Sequence, residues 1–151
     1  MKMYVLKSSI QLPVPVEEAW NFLSNPQQLE NITGNNLSLQ PVRPLPDEMY
    51  EGIILEYQIK PILNLRINWV TEITHIEEKK RFIDVQRFGP FHYWHHEHAL
   101  IENEHGTEMK DILHYVMPFS ILGRFAHKLF VRRMLEDIFA YRQQKIGDYF
   151  K

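Results

Sequence analysis

The stretch that decides the fold is Trp94-His95-His96-Glu97-His98-Ala99-Leu100-Ile101-Glu102, followed by Asn103-Glu104-His105-Gly106 and then Thr107-Glu108-Met109-Lys110-Asp111-Ile112-Leu113-His114-Tyr115. Two runs with period two flank a four-residue segment of turn-forming residues, which is the signature of an antiparallel hairpin. With 103–106 as the turn, Glu102 stands opposite Thr107. Leu100 then faces Met109, His98 faces Asp111, His96 faces Leu113 and Trp94 faces Tyr115. These side chains share one face, because strand side chains alternate sides. This face is the more apolar and aromatic, so it is predicted to be interior, while His95, Glu97, Lys110 and His114 face solvent. A slip of one residue would exchange the two sets.

Outward from this hairpin the same period continues. Strands are predicted over 37–43, 51–60, 65–77, 81–88, 92–102 and 107–117, separated by Pro44-Leu45-Pro46-Asp47, Pro61-Ile62-Leu63-Asn64, Glu77-Glu78-Lys79-Lys80, Gly89-Pro90 and the 103–106 turn. Connections this short join antiparallel neighbours, so the segment is a meander. Residues 3–12 form an earlier strand with Tyr4, Leu6, Ile10 and Leu12 on one side. Pro13 and Pro15 stop it, and Val16, Ala19, Trp20 and Leu23 have the spacing of a short amphipathic helix. Asn25 is placed to cap a second short helical turn that begins at Pro26.

The strand over 81–88 leaves two readings open. A tight turn at Gly89-Pro90 pairs Phe88 with Phe91 and turns Ile83, Val85 and Arg87 inward, whereas a bulge turns Asp84 and Gln86 inward. From about Ser120 to Gly147 the pattern is helical, with a phase reversal near Phe130. Leu122, Phe125, Ala126, Leu129 and Phe130 cluster on one side, and Val131, Met134, Leu135, Ile138 and Tyr141 on nearly the opposite side. Either the helix breaks there, or its first half covers a cavity mouth or a second protomer while its second half covers the sheet.

The 151 residues, 44% hydrophobic and 24% charged, fit one globular domain over 1–151. With no cysteine, a thiol nucleophile, an iron–sulfur cluster and a Cys-ligated zinc are excluded. A net charge of −2 gives no field that recruits nucleic acid. There is no apolar signal core at the N-terminus and no run of about 20 apolar residues, so a cytoplasmic protein without stable membrane insertion is expected. No phosphate loop, serine elbow or dinucleotide fingerprint is present.

The element order and several local motifs resemble the START-like, or SRPBCC, superfamily. The carriers are Pro13-Val14-Pro15-Val16-Glu17-Glu18-Ala19-Trp20-Asn21-Phe22-Leu23-Ser24-Asn25-Pro26, the Gly89-Pro90-Phe91 turn, Trp94-x-His96-x-His98, Gly106-Thr107-x-Met109-x-Asp111, Tyr115-x-x-Pro118-Phe119 and the helical stretch from Gly123-Arg124 to Tyr141-Arg142. These resemble the bacterial branch of ligand-binding and polyketide-cyclase-like proteins. The resemblance implies an α+β helix-grip fold, in which a curved antiparallel sheet wraps a long C-terminal helix, with two short helices after the first strand. It also implies an apolar cavity for a lipid, quinone or polyketide, bound for transport or sequestration.

Candidate ligand-binding residues are Leu55, Tyr57, Trp69, Trp94, His96, His98, Met109, Asp111, Leu113, Tyr115, Phe125 and Leu129. His98 and Asp111, with Tyr115, are candidates for acid–base work in a cyclase- or dehydratase-like reaction, since a carboxylate orients an imidazole and shifts its pKa. A buried pair that only satisfies itself is the plainer reading. His96 and His98 on one strand face, with Asp111, could ligate a metal, but no fourth ligand is evident, so neither a metal nor another cofactor is expected. Basic residues beside Phe119–Phe125 leave open an interaction module for a partner or membrane, and a homo-oligomer is open as well.

Overall fold

The structure is a computed structural model that describes residues 1–61 and 63–151, and the side chains of all of these except 34–36. Ile62, in the predicted turn after the third strand, lies outside the described residues. The chain runs β1 (Met3–Leu12), α1 (Val16–Leu23), α2 (Pro26–Leu37), β2 (Gln40–Pro41), β3 (Ile54–Ile59), β4 (Ile67–Glu77), β5 (Arg81–Phe88), β6 (Tyr93–Asn103), β7 (Gly106–Val116), α3 (Ser120–Ala126), a π-helical turn (His127–Val131) and α4 (Arg132–Tyr149). All strands join one antiparallel sheet in the order β1-β7-β6-β5-β4-β3-β2. This is a helix-grip arrangement, with the last helix lying along the sheet.

The hairpin register is the one read from the turn: Glu102 pairs with Thr107, His98 with Asp111 and Trp94 with Tyr115. Gly106 fixes that turn. Its φ is +118°, and a Cβ there would collide with the Leu12 carbonyl oxygen, so only glycine fits. The next register down settles the open strand. Asp84 pairs with His96 and Val85 with His95, one residue away from the two-residue turn. Gln86 locks the loop, donating from Nε2 to the Phe91 carbonyl at 2.7 Å while its Oε1 accepts the Phe91 amide at 3.3 Å. Register shifts between β4 and β5 accompany this change and leave Asp84 facing inward.

Several elements differ in length from the sequence reading: the strands expected over 51–60 and 65–77 shorten to Ile54–Ile59 and Ile67–Glu77. The strand expected over 37–43 shrinks to Gln40–Pro41, because the second helix continues to Leu37. Asn25 does cap that helix, its Oδ1 accepting the Gln27 amide at 2.9 Å. Burial of Ile32 and Leu37 carries the helix through an otherwise polar sequence.

The phase reversal near Phe130 has a physical cause. A π-helical turn closes i→i+5 and so takes one extra residue, which rotates everything after it by about 100° relative to a continuous α-helix. Leu122, Ala126 and Phe130 before or within the turn, and Val131, Leu135, Ile138 and Phe139 from its end onward, therefore all reach the same interior space. Phe125 and Leu129, expected on the inward stripe, face outward and are 65% and 64% exposed. Tyr115 anchors the turn to the sheet: its hydroxyl lies 2.7 Å from His127 Nε2, and Tyr4 stacks on the His127 ring at 3.6 Å. Burial lowers the His127 pKa, so the imidazole is neutral and accepts the phenol proton, while burial raises that of Tyr115 to about 12.

The core has two parts. One, under α1 and the end of α4, packs Leu12, Trp20, Phe22, Leu55, Phe82, Met109 and Ile146 solidly. The other lies under α3, the π turn and the first half of α4 and contains Trp94, Leu113, Tyr115, Val131 and Phe139.

Candidate functional site

Between the sheet and the helices, a cavity of about 590 Å³ opens beside this second part of the core. Its sheet wall comes from alternate residues of β3 and β4 (Tyr57, Ile59, Ile67, Trp69, Thr71, Ile73) and from Asp84, Trp94, His96 and His98. Its helix wall comes from Leu122, Ala126 and Phe130, then Val131, Met134, Leu135, Ile138, Phe139 and Arg142. Trp69, Phe91 and Trp94 form an aromatic corner, with Trp69 and Trp94 edge to face at 4.8 Å and Phe91 and Trp94 centroids 4.8 Å apart. Rings of this kind give a large apolar surface at fixed geometry.

Of the residues singled out from sequence, Tyr57, Trp69, Trp94, His96 and His98 lie in the cavity wall. The others sit elsewhere. Leu55 and Met109 are in the solid part of the core, Leu113 and Tyr115 are packed behind the wall, and Asp111 supports the two histidines from behind. Phe125 and Leu129 point away because of the π turn. Alternation along a strand assigns a face, but it does not say where along that face packing ends and open space begins.

At the inner end of the cavity is a buried polar cluster that the sequence brought only partly into view. His98 Nε2 donates to Asp84 Oδ2 at 2.7 Å, and its Nδ1 stands 3.0 Å from Asp111 Oδ1, outside good hydrogen-bond alignment. His96 Nε2 donates to the same Asp111 oxygen at 2.9 Å, with its Nδ1 3.5 Å from Asp84 Oδ2. The two imidazoles lie 3.8 Å apart, centroid to centroid, and Trp94 Nε1 donates to Asp84 Oδ1 at 3.3 Å. The hairpin register thus supplied one carboxylate of the cluster, and the displaced β5 register supplied the second.

The electrostatics follow from this geometry. Burial disfavours the charged form of every member. For His98 the two flanking carboxylates outweigh burial and raise the pKa, while for His96 burial and the neighbouring imidazolium lower it. Both carboxyls are held below their ordinary range despite burial: Asp84 by the adjacent histidine pair, including its bond to His98, Asp111 by its bond to His96 and the close approach of His98, and each also by Arg142. The arrangement is therefore one imidazolium shared between two carboxylates, with a neutral imidazole beside it. Asp84, His96 and His98 place ligating atoms within 4.8 Å of one another, close enough for a divalent cation. Carboxylates against both nitrogens of His98 favour its imidazolium form, which cannot ligate.

The mouth is marked by lining residues that are also exposed. Phe119 and Leu122 are 82% and 76% exposed, and Leu65, in the β3–β4 connection, also lines the cavity and is exposed. Phe119 and Ser120 enter α3 with φ of 58° and 45°, left-handed values that are strained for residues other than glycine. Gly123 lets that entry close, since a Cβ there would collide with the Pro118 carbonyl oxygen.

A curved antiparallel sheet gripping a long helix around an apolar cavity defines a class of protein, the helix-grip fold. Solved structures agree. Ginseng major latex-like protein 151 from Panax ginseng superposes with a TM-score of 0.71 at 11% identity, covering 99% of this chain and 98% of its own. TTHA0849 from Thermus thermophilus gives 0.69 at 15% identity, covering 97% and 95%. Ms6760 from Mycobacterium smegmatis gives 0.64 at 15%, covering 93% and 88%. At these identities the likeness is one of fold. No protein-family model and no curated protein matches the sequence. Among the described residues, no helix is long and apolar enough to cross a membrane.

Proposed function

We propose that this protein binds one small hydrophobic molecule, such as a lipid, quinone or polyketide, in the cavity between sheet and helix, to carry or sequester it. The observation that carries this reading is the cavity of about 590 Å³ with an aromatic and aliphatic wall and polar groups gathered at one end. An apolar fluorescent probe should bind saturably with micromolar affinity and be displaced by a long-chain quinone. Absence of saturable binding to the folded protein would overturn the reading. Turnover of a candidate polyketide, lost in both Asp111→Asn and His98→Gln, would instead make the protein an enzyme.

The exposed rim favours a second role for the same end of the molecule. Phe119, Ile121, Leu122, Phe125 and Leu129 present apolar surface, and Arg124 and Lys128 stand among them exposed and without an ion pair among the described residues. Apolar side chains with interleaved cations suit an anionic lipid surface, from which a hydrophobic ligand could enter the cavity. Binding to vesicles that contain phosphatidylserine, weakened by salt and lost in Phe119→Asp/Leu122→Asp, is the expected result. No sedimentation with such vesicles at low salt would exclude this role.

A further inference from the structure

Arg142, midway along α4, is a cation in the cavity wall that no bond ties to the polar cluster. It is only 7% exposed, its Nε is buried without a hydrogen-bond partner, and among the described residues its guanidinium makes no ion pair. A guanidinium stays protonated in a protein, and burying one without an acceptor is costly. Three further atoms of wall residues are buried without a hydrogen-bond partner, the hydroxyls of Tyr57 and Thr33 and Nδ1 of His98. Tyr57 pairs with Trp69, which packs edge to face on Trp94 beside Asp84, and the Arg142 guanidinium lies 5.8 Å from the Phe139 ring, which packs against His96. Burial and that charge push the Tyr57 pKa up, so its hydroxyl keeps its proton and is a donor. The remaining polar atoms are already committed: Trp94 Nε1 to Asp84, His98 Nε2 to Asp84 and His96 Nε2 to Asp111.

The wall therefore offers donors without acceptors. What it does not offer is spare positive charge. Carboxylates lie against both nitrogens of His98, at 2.7 Å and 3.0 Å, which favours its imidazolium form. A ring centroid only 3.8 Å from the His98 imidazolium keeps His96 from carrying a second proton beside it. Two carboxylates are thus balanced by one imidazolium and one guanidinium. A ligand carboxylate would add an uncompensated negative charge to a buried site that is already neutral, close to Asp84 and Asp111. A neutral acceptor would satisfy the guanidinium and leave the balance intact.

We propose that the cavity recognises ligands whose polar end is a neutral carbonyl oxygen accepting from Arg142, with Tyr57 as an auxiliary donor, and that it discriminates against carboxylates. This rests on the ligand-binding reading of the cavity and specifies the chemical class of ligand.

The test is displacement of a bound apolar fluorescent probe at pH 7.5 by three chain-matched competitors: 2-undecanone, undecanoate and undecane. The ketone is expected to displace at a concentration at least tenfold lower than either of the others. Arg142→Met should bring the ketone down to the level of the hydrocarbon, and Tyr57→Phe should reduce its advantage without abolishing it. If Arg142→Met does not fold, the ranking on the parent protein decides alone. Undecanoate binding best, or all three binding alike while the probe binds normally, would overturn this proposal and leave the cavity reading standing. Failure of the probe itself to bind would overturn both.

Discussion

Asp111→Asn is expected to lower the pKa of His98 and to cost about 3–5 kcal/mol of folding free energy, the usual range for removing one partner of a buried ion pair. Asp111 is buried, accepts from His96 at 2.9 Å and lies 3.0 Å from His98. Removing its charge leaves the His98 imidazolium with Asp84 alone. Imidazole NMR titration measures the first effect and denaturant unfolding the second. An unchanged His98 pKa would show that the two residues do not interact.

The same cluster sets a pH dependence whose sign follows from the direction of each shift. The His98 pKa is raised on folding, so its contribution is complete below the ordinary histidine range and is lost as pH rises through the raised folded value. Asp84 and Asp111 are lowered, so theirs is present above the ordinary carboxylate range and is lost as pH falls through the depressed values. His96 is lowered, so its protonation in acid also works against folding. The His96 loss begins as pH falls below the ordinary histidine value and the His98 loss as pH rises above it, so the cluster stabilises most near about pH 6.5. Asp111→Asn should flatten that profile as well as lower it.

The second large effect concerns the mouth. Backbone amides of Ser120–Ala126 are expected to exchange at least tenfold faster than those of Leu135–Arg142, measured residue by residue in the ligand-free protein. α3 begins on two strained residues without a side-chain cap, and most of its apolar side chains are exposed. By contrast, α4 buries Leu135, Ile138, Phe139 and Arg142. Segments with few buried contacts open at lower cost than core elements. The π turn between them, tied to the sheet through Tyr115 and His127, gives such opening a natural end point. Equal protection along the whole helical stretch would remove the basis for a gate at this position.

Local chemistry was enough for much of the architecture. Turn length and Gly106 specified the β6–β7 register, because a hairpin leaves no freedom once its loop is counted, and that register already placed His98 against Asp111. The reversal of apolar phase at Phe130 marked an irregularity there, but only the structure shows that it is a π turn and not a break or a change of partner. Asp84 was not decidable from the sequence: its inward face depends on a one-residue difference in loop length at Gly89 and on register shifts against β4, both outcomes of packing between strands. Arg142 reads as an ordinary solvent-facing charge on an amphipathic helix. Only the wrap of the sheet around α4 buries it, because burial of a helix position depends on what the rest of the chain lays against it. The boundary between solid core at Leu55 and Met109 and open cavity at Tyr57 and His98 is likewise a property of the assembled layers. Strand alternation determines which way a side chain points, and tertiary packing determines whether it meets another side chain or an empty space.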